Sequence, residues 1–334
     1  MARRILVALG LVVVGLVIAI VTGWGALVLF YLAPGPELVR KILAWGFAAL
    51  GLVAVVALAV RRWRWPAFAA YAVALVLVLV AWNSPTPSND RDWQPEVAVL
   101  PYATIKGDLV TIHNIRNFDY RTETDFTPAY YDRTFDVRKL DRIDLYTSYW
   151  MGPAIAHLFV SFGFGDEHLP ISIEVRKTRS KEYSTIAGFF RQFELFYVVA
   201  DERDVVRVRT NYRKSPVEDV YMFRTVAPLE NGRRVFLDYI RDMNVLREQP
   251  RFYNTLTTNC TTMILAHTTV NPGHLPLSWK VLVSGYAAEY AYDMGRLDRN
   301  LPFAELKRRG HINARAQAAD KSPDFSRLIR VGVP

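Results

Sequence analysis

The first quarter of the chain is dominated by long apolar runs that contain no charged residue. These runs cover residues 5–32, 42–60 and 65–82. Each is close to the roughly 20 residues that a helix needs to cross the hydrocarbon core of a bilayer. Tyr31 and Trp82 lie at the ends of two runs, where interfacial aromatic side chains are expected. The pattern therefore predicts three transmembrane helices within residues 1–82.

The basic residues that flank these runs predict the orientation of the chain. Cytoplasmic flanks of membrane spans carry an excess of Lys and Arg. More basic residues lie on the side of the N-terminus than in the loop between the first two runs. They are Arg3, Arg4, Arg61, Arg62 and Arg64 on the first side, and Arg40 and Lys41 on the second. We therefore expect a multi-pass protein of a bacterial inner membrane, with a cytoplasmic N-terminus and a periplasmic location for everything after Trp82.

The formal net charge of +9 does not indicate a nucleic-acid partner. Of the 41 Lys and Arg residues, seven lie before residue 90, where only one of the 32 acidic residues lies. The rest of the chain is therefore close to charge balance, and the basic excess belongs to the flanks of the apolar runs. A nucleic-acid-binding domain carries a basic patch of its own, so we predict no nucleic-acid binding.

A linker that contains Pro, Ser and Asn, residues 83–95, leads into a second domain, residues 96–334. Alternating apolar and polar positions predict strands, and apolar positions three or four apart predict helices. The expected strands are 109–115, 143–150, 155–164, 169–176, 205–209 and 221–226, with a turn at 165–167 and a loop at 116–131. The expected helices are 184–196, 232–246 and one that begins near Asn259. Strands come first and helices later, which indicates the α+β class.

Cys260 is the only cysteine in 334 residues. It has no second cysteine for an internal disulfide, and one sulfur cannot build a cysteine metal cluster, so we predict no metal centre. Thr257, Thr258 and Asn259 are N-cap candidates in front of a helix, which places the thiol in the first helical turn. Backbone dipoles there lower the pKa of a thiol and favour the reactive thiolate. A small buried hydrophobe is the other interpretation of a free cysteine.

A reactive thiolate needs a base, and His113 and His157 are the histidines that lie inside predicted strands. His157 is the better candidate because Glu174 lies on the partner strand of its predicted hairpin. A carboxylate at that place holds the second ring nitrogen and fixes the tautomer. The alternative is a buried structural histidine with Glu174 facing solvent.

Several ordered segments carry a resemblance to known proteins. They are residues 117–126, 148–150, 156–164, 171–177, 189–195, 201–204, 209–213 and 256–261. Together they resemble the family named for the N-terminal periplasmic domain of the lipoprotein N-acyltransferase Lnb, over roughly residues 97–290. A strand histidine, a polar residue on the next strand and then a cysteine at a helix start is also similar to circularly permuted papain-like folds of the NlpC type. The resemblance implies such a domain behind the three helices.

The resemblance also implies a chemistry, thiol-dependent acyl transfer. Cys260 would be the nucleophile, His157 the base and Glu174 the residue that orients it. In Lnb-type enzymes an acyl chain passes through an acyl-enzyme to the N-terminal amine of a lipoprotein. The implied partners are a membrane lipid and a lipoprotein or other acylated substrate, with no cofactor. Candidates for oxyanion stabilisation or substrate positioning are Tyr253, Asn259, Arg116 and Arg191.

One departure from Lnb leaves the substrate open, because the spans of Lnb follow its catalytic domain and the spans of this chain precede it. Two other functions fit the same residues. A cysteine peptidase or amidase acting on cell-wall peptide would use the same dyad with an open polar groove. A membrane-tethered binding module would have lost the dyad, and Cys260 and His157 would then lie far apart. Arg116 and Arg191 either line a cleft for an anionic head group or form buried ion pairs.

Overall fold

The computed structural model describes residues 1–334, with the exception of the side chain of Arg3. The chain forms two compact units. We call residues 1–87 together with 184–192 the helical unit, and residues 88–183 together with 193–334 the sheet unit.

The helical unit contains three helices that follow the predicted apolar runs closely. They are α1 (Ala2–Leu32), α2 (Glu37–Ala57) and α3 (Arg64–Asn83). Each is long and apolar enough to cross a membrane, by length and composition. Between them the Thr22 hydroxyl lies 3.0 Å from that of Tyr71 and donates to the Ile18 carbonyl oxygen at 2.6 Å. Such pairing avoids the cost of an unsatisfied polar group in apolar surroundings.

Residues 184–192 interrupt the sheet unit in sequence and pack within the helical unit. The ring of the buried Phe190 stacks on that of Tyr31, with 5.2 Å between centroids, and lies 6.4 Å from that of Trp82. Tyr31 and Trp82 lie near the C-terminal ends of α1 and α3. The segment therefore packs against the C-terminal ends of α1 and α3.

Ten strands form the framework of the sheet unit, and the five-stranded central sheet has the order β10-β6-β7-β8-β9. All its neighbouring strands are antiparallel. A second sheet has the order β1-β2-β5, and β3 pairs with β4. The strands are β1 (Tyr102–Lys106), β2 (Leu109–Arg116), β3 (Asp119–Tyr120), β4 (Phe126–Thr127), β5 (Tyr130–Asp136), β6 (Arg142–Tyr149), β7 (Ala156–Phe164), β8 (Glu167–Arg176), β9 (Glu194–Val199) and β10 (Asp219–Arg224).

Helices follow the strands in the second half of the sheet unit. They are α4 (Glu202–Arg207), α5 (Leu229–Glu248), α6 (Cys260–Thr268), α7 (Trp279–Leu282), α8 (Ala287–Asp293), α9 (Phe303–Gly310), α10 (Asn313–Ala318) and α11 (Phe325–Ile329), with a π-helical turn, Val208–Tyr212, directly after α4. Phe159 stacks on Tyr146 at 4.7 Å between centroids, in a core that includes Phe325. Phe162, which alternation along β7 places on the opposite face, packs against Phe236 of α5 at 5.1 Å.

The register of β7 creates the place for the site. β7 pairs with the whole length of β6, from Arg142 opposite Gly163 to Tyr149 opposite Ala156. Its pairing with β8 ends earlier, at Phe159 opposite Ser172. The two strands therefore part before they reach the two predicted site residues that lie on them, and this leaves room for a third element between their ends.

The mixed helix and sheet content and the three apolar helices are confirmed, whereas the permuted papain-like arrangement stays a prediction. The hairpin of β7 and β8 and the helices α5 and α6 also follow the predicted pattern. The predicted helix at 184–196 is wrong, because the chain forms only a short 3-10 turn, Ala187–Phe189, before β9. Phe189, Phe193 and Phe196 have helical spacing, but pairing with β8 buries every residue of β9 and overrides that local signal.

The predicted strand at 205–209 is also wrong, since α4 and the π-helical turn cover it. Val and Arg alternate there as in a strand, but Asp201 caps a helix by accepting the N–H of Arg203 at 2.8 Å. The predicted loop at 116–131 contains β3, β4 and the start of β5. Aromatic side chains within it, such as Phe118 and Phe126 with 4.9 Å between ring centroids, give this stretch a small core of its own.

Candidate active site

Cys260 is the first residue of α6, and the cap in front of it fixes that position. The side-chain oxygen of Asn259 accepts hydrogen bonds from the N–H groups of Thr261 and Thr262, both at 2.9 Å. The Thr262 hydroxyl accepts in turn from the Asn259 N–H at 3.0 Å, which completes a capping box. The N–H of Cys260 is the first-turn donor that this cap does not use.

The thiol of Cys260 lies buried beside the imidazole of His157, and the residue is only 9% exposed. The sulfur accepts a hydrogen bond from the backbone N–H of Leu158 and lies 3.7 Å from the hydroxyl oxygen of Thr261. Burial raises the pKa of the Cys260 thiol, but the charge of His157 and the hydrogen bonds to the sulfur outweigh burial, so the pKa is lowered. The surroundings therefore favour the nucleophilic thiolate.

His157 joins the thiol to a carboxylate. Its Nε2 atom lies 3.0 Å from Glu174 Oε1 and 2.6 Å from Ser172 Oγ, which leaves Nδ1 for the thiol. Burial lowers the pKa of His157, but the charge of Glu174 and the interaction with Cys260 outweigh burial and raise the pKa to about 9. A protonated imidazole next to a thiol of lowered pKa is an imidazolium–thiolate pair, the form in which a thiol acts as a nucleophile at neutral pH.

Ser172 belongs to the site, although it is not among the predicted site residues. It is fully buried, and its hydroxyl donates to Glu174 Oε1 at 2.8 Å. Because the hydroxyl proton is used in that bond, Ser172 Oγ accepts the Nε2–H of His157. Ser172 and Glu174 lie two residues apart on β8 and share a strand face. That spacing is the sequence signal that connects them.

Glu174 lies at one end of a series of alternating charges. Arg209 contacts two carboxylates, with Nη2 2.8 Å from Glu174 Oε1 and Nη1 3.1 Å from Glu218 Oε2. Glu218 also pairs with Arg213. Burial raises the pKa of Glu174, but His157 and then Arg209 lower it well below its ordinary value. Glu174 therefore stays ionised and can stabilise a positive imidazolium.

Tyr253 and Asn259, two of the predicted positioning residues, lie at the thiol. Tyr253 is buried, donates its N–H to the Phe193 carbonyl oxygen at 2.9 Å, and has its phenol hydrogen-bonded to Tyr183. Burial, and then the nearby charge of Cys260, raises the pKa of Tyr253, so the phenol stays neutral. The Asn259 side chain is occupied by the cap and by the Thr255 carbonyl oxygen at 2.7 Å, and it therefore positions the helix.

The two predicted arginines have other surroundings. Arg116 is buried and forms a bidentate pair with Asp204 at 3.0 and 2.7 Å, and it also donates to the Glu96 carbonyl oxygen at 2.9 Å. These bonds hold the start of the 116–131 stretch to α4. Arg191 belongs to the helical unit, where its Nη1 donates to the Trp82 carbonyl oxygen at 2.7 Å.

The arrangement supports nucleophilic chemistry at sulfur. The imidazolium can return a proton to a leaving group, and the N–H of Cys260 at the helix start can hold an oxyanion. Among the described residues there is no group of three or more His, Cys, Asp or Glu side chains that could hold a metal ion. His113 is a separate histidine in β2, where its Nδ1 lies 2.7 Å from Asp132 and its Nε2 3.1 Å from Thr104.

Residues 126–285 match the family model described as the Lnb N-terminal periplasmic domain. The predicted resemblance is thereby confirmed, and the matched range contains His157, Ser172, Glu174, Arg209 and Cys260. No curated protein and no solved structure gives a significant match to the chain. A match to a model of a periplasmic domain, behind three apolar helices, fits a membrane-anchored protein.

Proposed function

We propose that this chain, whose residues 126–285 match the Lnb N-terminal periplasmic domain model, is a membrane-anchored thiol acyltransferase. Cys260 is the nucleophile, His157 the base and acid, and Glu174 the carboxylate that orients the imidazole. The donor is an acyl ester of a membrane lipid, and the acceptor is the N-terminal amine of a lipoprotein. A bacterial inner membrane with the sheet unit in the periplasm is the corresponding location.

One observation carries the proposal, the position of the His157 ring between the thiol and a partly buried, ionised carboxylate. Nε2 is bound by Glu174 at 3.0 Å and by Ser172 at 2.6 Å, so the ring is fixed with its other nitrogen available to Cys260. A structural histidine needs no thiol partner, and a structural cysteine needs no cation beside it. The combination is typical of an activated nucleophile.

In the first half-reaction the Cys260 thiolate attacks the ester carbonyl carbon and forms a carbon–sulfur bond. The carbonyl oxygen becomes an oxyanion, which the N–H of Cys260 stabilises. Collapse of this intermediate breaks the ester carbon–oxygen bond, and the leaving alcohol takes the proton of the His157 imidazolium. The products are a thioester on Cys260, a free alcohol and a neutral imidazole.

In the second half-reaction the acceptor amine attacks the thioester carbonyl carbon. The amine gives one proton to His157, a carbon–nitrogen bond forms, and the carbon–sulfur bond breaks. Cys260 leaves as the thiolate beside a protonated imidazole, so the starting pair is restored. Glu174 keeps its charge throughout, and it stabilises the imidazolium at each stage where that cation forms.

The test is detection of the thioester. The full-length chain is incubated with lipid membranes, digested, and the Cys260 peptide is analysed by mass spectrometry for a fatty-acyl mass that neutral hydroxylamine removes. Cys260→Ala and His157→Ala should each lower adduct formation about a thousandfold or more, because groups that act as one unit lose nearly everything when either is removed. An adduct that persists in Cys260→Ala contradicts the proposal.

His113→Ala is the matched control, since His113 also pairs with a carboxylate but lies in a different sheet. It should leave adduct formation unchanged. If His113→Ala abolishes the adduct while His157→Ala spares it, His157 is not the base.

The acceptor is tested with a lipopeptide that carries a free N-terminal amine, next to the same lipopeptide with that amine acetylated. Only the free amine should discharge the thioester and gain an acyl chain. If the thioester decays at the same rate with either peptide and free fatty acid accumulates, the enzyme is a hydrolase and the transferase assignment is wrong.

A further inference from the structure

Arg191 occupies an unusual position at one end of the helical unit. Its Nη1 donates to the Trp82 carbonyl oxygen at 2.7 Å, and its guanidinium carbon lies 4.5 Å from the centroid of the Trp82 ring. Trp82 is the penultimate residue of α3, so this arginine supplies a donor to the C-terminal end of that helix. One hydrogen bond leaves most of the N–H groups of the guanidinium available.

The backbone of Arg191 is held in the left-handed region, with φ of 51°. A residue other than glycine rarely adopts this conformation, and it persists only where the surroundings fix it. Phe190 fixes it on one side through stacking on Tyr31, and Gln192 on the other side donates to the Tyr31 carbonyl oxygen at 3.2 Å. The fold therefore holds the guanidinium in one place, although the backbone there is strained.

Among the described residues, Arg191 has no carboxylate partner. Arg209 of the sheet unit differs in this respect, because Glu174 and Glu218 neutralise its charge. Arg191 is only partly buried. A cation of this kind, placed over a tryptophan face and fixed by its neighbours, is suited to an anion from outside the protein.

Tyr31 and Trp82 indicate the depth of Arg191. Each lies near the end of a helix that is long and apolar enough to cross a membrane, and such terminal aromatic residues lie at the level of lipid head groups. Next to Arg191 in the chain, Ile186 and Phe189 are 55% and 37% exposed. A fixed cation at head-group depth with exposed apolar side chains beside it matches a lipid phosphate with its acyl chains.

We propose that Arg191, supported by Trp82 and Tyr31, binds the phosphodiester of a membrane phospholipid, with Ile186 and Phe189 against its acyl chains. The guanidinium contributes charge-assisted hydrogen bonds to the phosphate oxygens. The site lies within the helical unit and needs no contribution from the thiol. That the bound lipid also serves as the acyl donor rests on the proposed function, whereas the binding itself does not.

The test measures lipid retention by the full-length chain. The protein is reconstituted in nanodiscs containing phosphatidylglycerol, extracted into mild detergent and analysed by native mass spectrometry. Wild type should retain the phospholipid, and Arg191→Asn should retain it about tenfold less, because a charged hydrogen-bond donor is lost. Asparagine tolerates the left-handed backbone, so this variant removes the charge without adding strain. Arg191→Lys keeps the charge but loses the planar fork, and its retention should be intermediate.

Lys41→Gln is the matched control, since Lys41 is a cation of the helical unit that already pairs with Glu37 at 2.7 Å. Its lipid retention should equal that of wild type. An unchanged rate of Cys260 alkylation in Arg191→Asn shows that the sheet unit is still folded. This experiment measures lipid binding and not acyl transfer. Its result therefore stays informative even if the Cys260→Ala experiment contradicts the proposed function.

Three results overturn the proposal. Equal retention by wild type and Arg191→Asn means that Arg191 does not bind the lipid. Equal retention of phosphatidylglycerol and uncharged diacylglycerol means that the phosphate is not recognised. Displacement of the lipid by millimolar glycerol 3-phosphate means that the site takes a soluble phosphate instead of a membrane lipid.

Discussion

At the scale of single residues, the proton between Cys260 and His157 decides the chemistry. The pKa of the thiol is lowered and that of the imidazole is raised to about 9. At a pH between the lowered pKa of the thiol and the raised pKa of the imidazole, the proton stays on the ring and the sulfur carries a negative charge. Glu174 sets the upper limit of that interval, because its charge opposes the effect of burial on His157.

The rate of thioester formation should follow a bell-shaped pH profile. It rises as the thiol ionises, below the ordinary thiol pKa of about 8.5, and falls near pH 9, where His157 loses the proton that the leaving alcohol needs. Iodoacetamide labelling of Cys260 across pH measures the acid limb, and single-turnover acylation measures both limbs. A labelling midpoint at or above about 8.5 contradicts the lowered thiol pKa.

Glu174→Gln separates the two limbs of this profile. Loss of the carboxylate removes the charge that raises the pKa of His157, so the alkaline limb should move to lower pH. Glutamine keeps the shape and a hydrogen-bonding oxygen, so the fold should persist. An alkaline limb that stays near pH 9 in this variant means that another group controls it.

The sequence predicts part of this site. Cys260, His157 and Glu174 follow from cap residues and a hairpin, which are local signals. Ser172 and Arg209 do not, because their roles depend on which atoms meet across the fold. Arg209 contacts Glu174 from a helical segment. The alternation of Val and Arg in that segment predicts a strand instead.

At the scale of elements, the cap of α6 connects helix stability to thiol reactivity. Asn259 holds the first turn through the N–H groups of Thr261 and Thr262. The same turn places Cys260 against the backbone N–H of Leu158 in β7. A frayed first turn would weaken both sets of contacts.

Asn259→Ala should lower the free energy of unfolding by about 1 kcal/mol, the usual cost of losing an N-cap side chain. It should also slow alkylation of Cys260 at fixed pH, because the sulfur loses the dipoles and hydrogen bonds that favour the thiolate. Urea unfolding and timed iodoacetamide labelling measure the two effects.

Ser278→Ala is the control for this prediction. Ser278 caps α7 by accepting the Lys280 N–H at 3.3 Å, so its loss affects another helix start. Alkylation of Cys260 should keep the wild-type rate. Equal slowing in both variants means that general destabilisation, and not the α6 cap, changes the thiol.

Strong local patterns predict the elements of the sheet unit well, and tertiary contacts decide the others. β7 and β8 are rich in apolar residues and are joined by a Gly-containing turn, and both follow the prediction. Residues 184–196 have helical spacing of phenylalanines, yet part of this stretch packs in the helical unit and the rest pairs with β8. No local sequence pattern shows that the first part of this stretch belongs to the helical unit and the last part to the sheet unit.

At the scale of the whole molecule, the last helices close one face of the central sheet. Phe325 and Ile329 of α11 are fully buried in the core beside Phe159. Arg330 follows them and pairs with Asp144 at 2.9 Å and with Glu202 at 2.6 Å. The C-terminal segment is therefore part of the sheet unit's core.

Arg330→Met should lower the free energy of unfolding by roughly 3–5 kcal/mol, because it leaves buried carboxylates without their cation. Urea unfolding of the full chain, followed by Cys260 labelling, measures the loss. Arg327→Met is the control, since Arg327 pairs with Asp324 at the surface, and it should change stability by less than about 1 kcal/mol. Equal effects in the two variants contradict the role of the buried pair.

The pair of Arg330 and Glu202 also predicts that the fold loses stability in acid. Burial raises the pKa of Glu202, but Arg330 outweighs burial and lowers the pKa to about 2. A carboxylate with a lowered folded-state pKa stabilises the fold above its unfolded value of about 4.3, and this contribution is lost as pH falls towards 2. Unfolding measured between pH 6 and pH 2 should show this loss in wild type and much less of it in Arg330→Met.

The orientation in the membrane is also a prediction for the whole molecule. The basic flanks of the apolar helices favour a cytoplasmic N-terminus. An alkaline phosphatase reporter, which is active only in the periplasm, should be active when fused after Pro334 and inactive when fused after Arg62. A cytoplasm-specific reporter that is active after Pro334 contradicts this orientation.

A chain with one sulfhydryl gives each thiol-directed reagent a single target. The total labelling of the native protein by a thiol-directed covalent probe therefore counts reactive Cys260 thiols, without correction for labelling elsewhere. Oxidation has a matching consequence. Peroxide converts Cys260 to a sulfenic acid that has no resolving cysteine in the same chain, so recovery of the thiol depends on an external thiol.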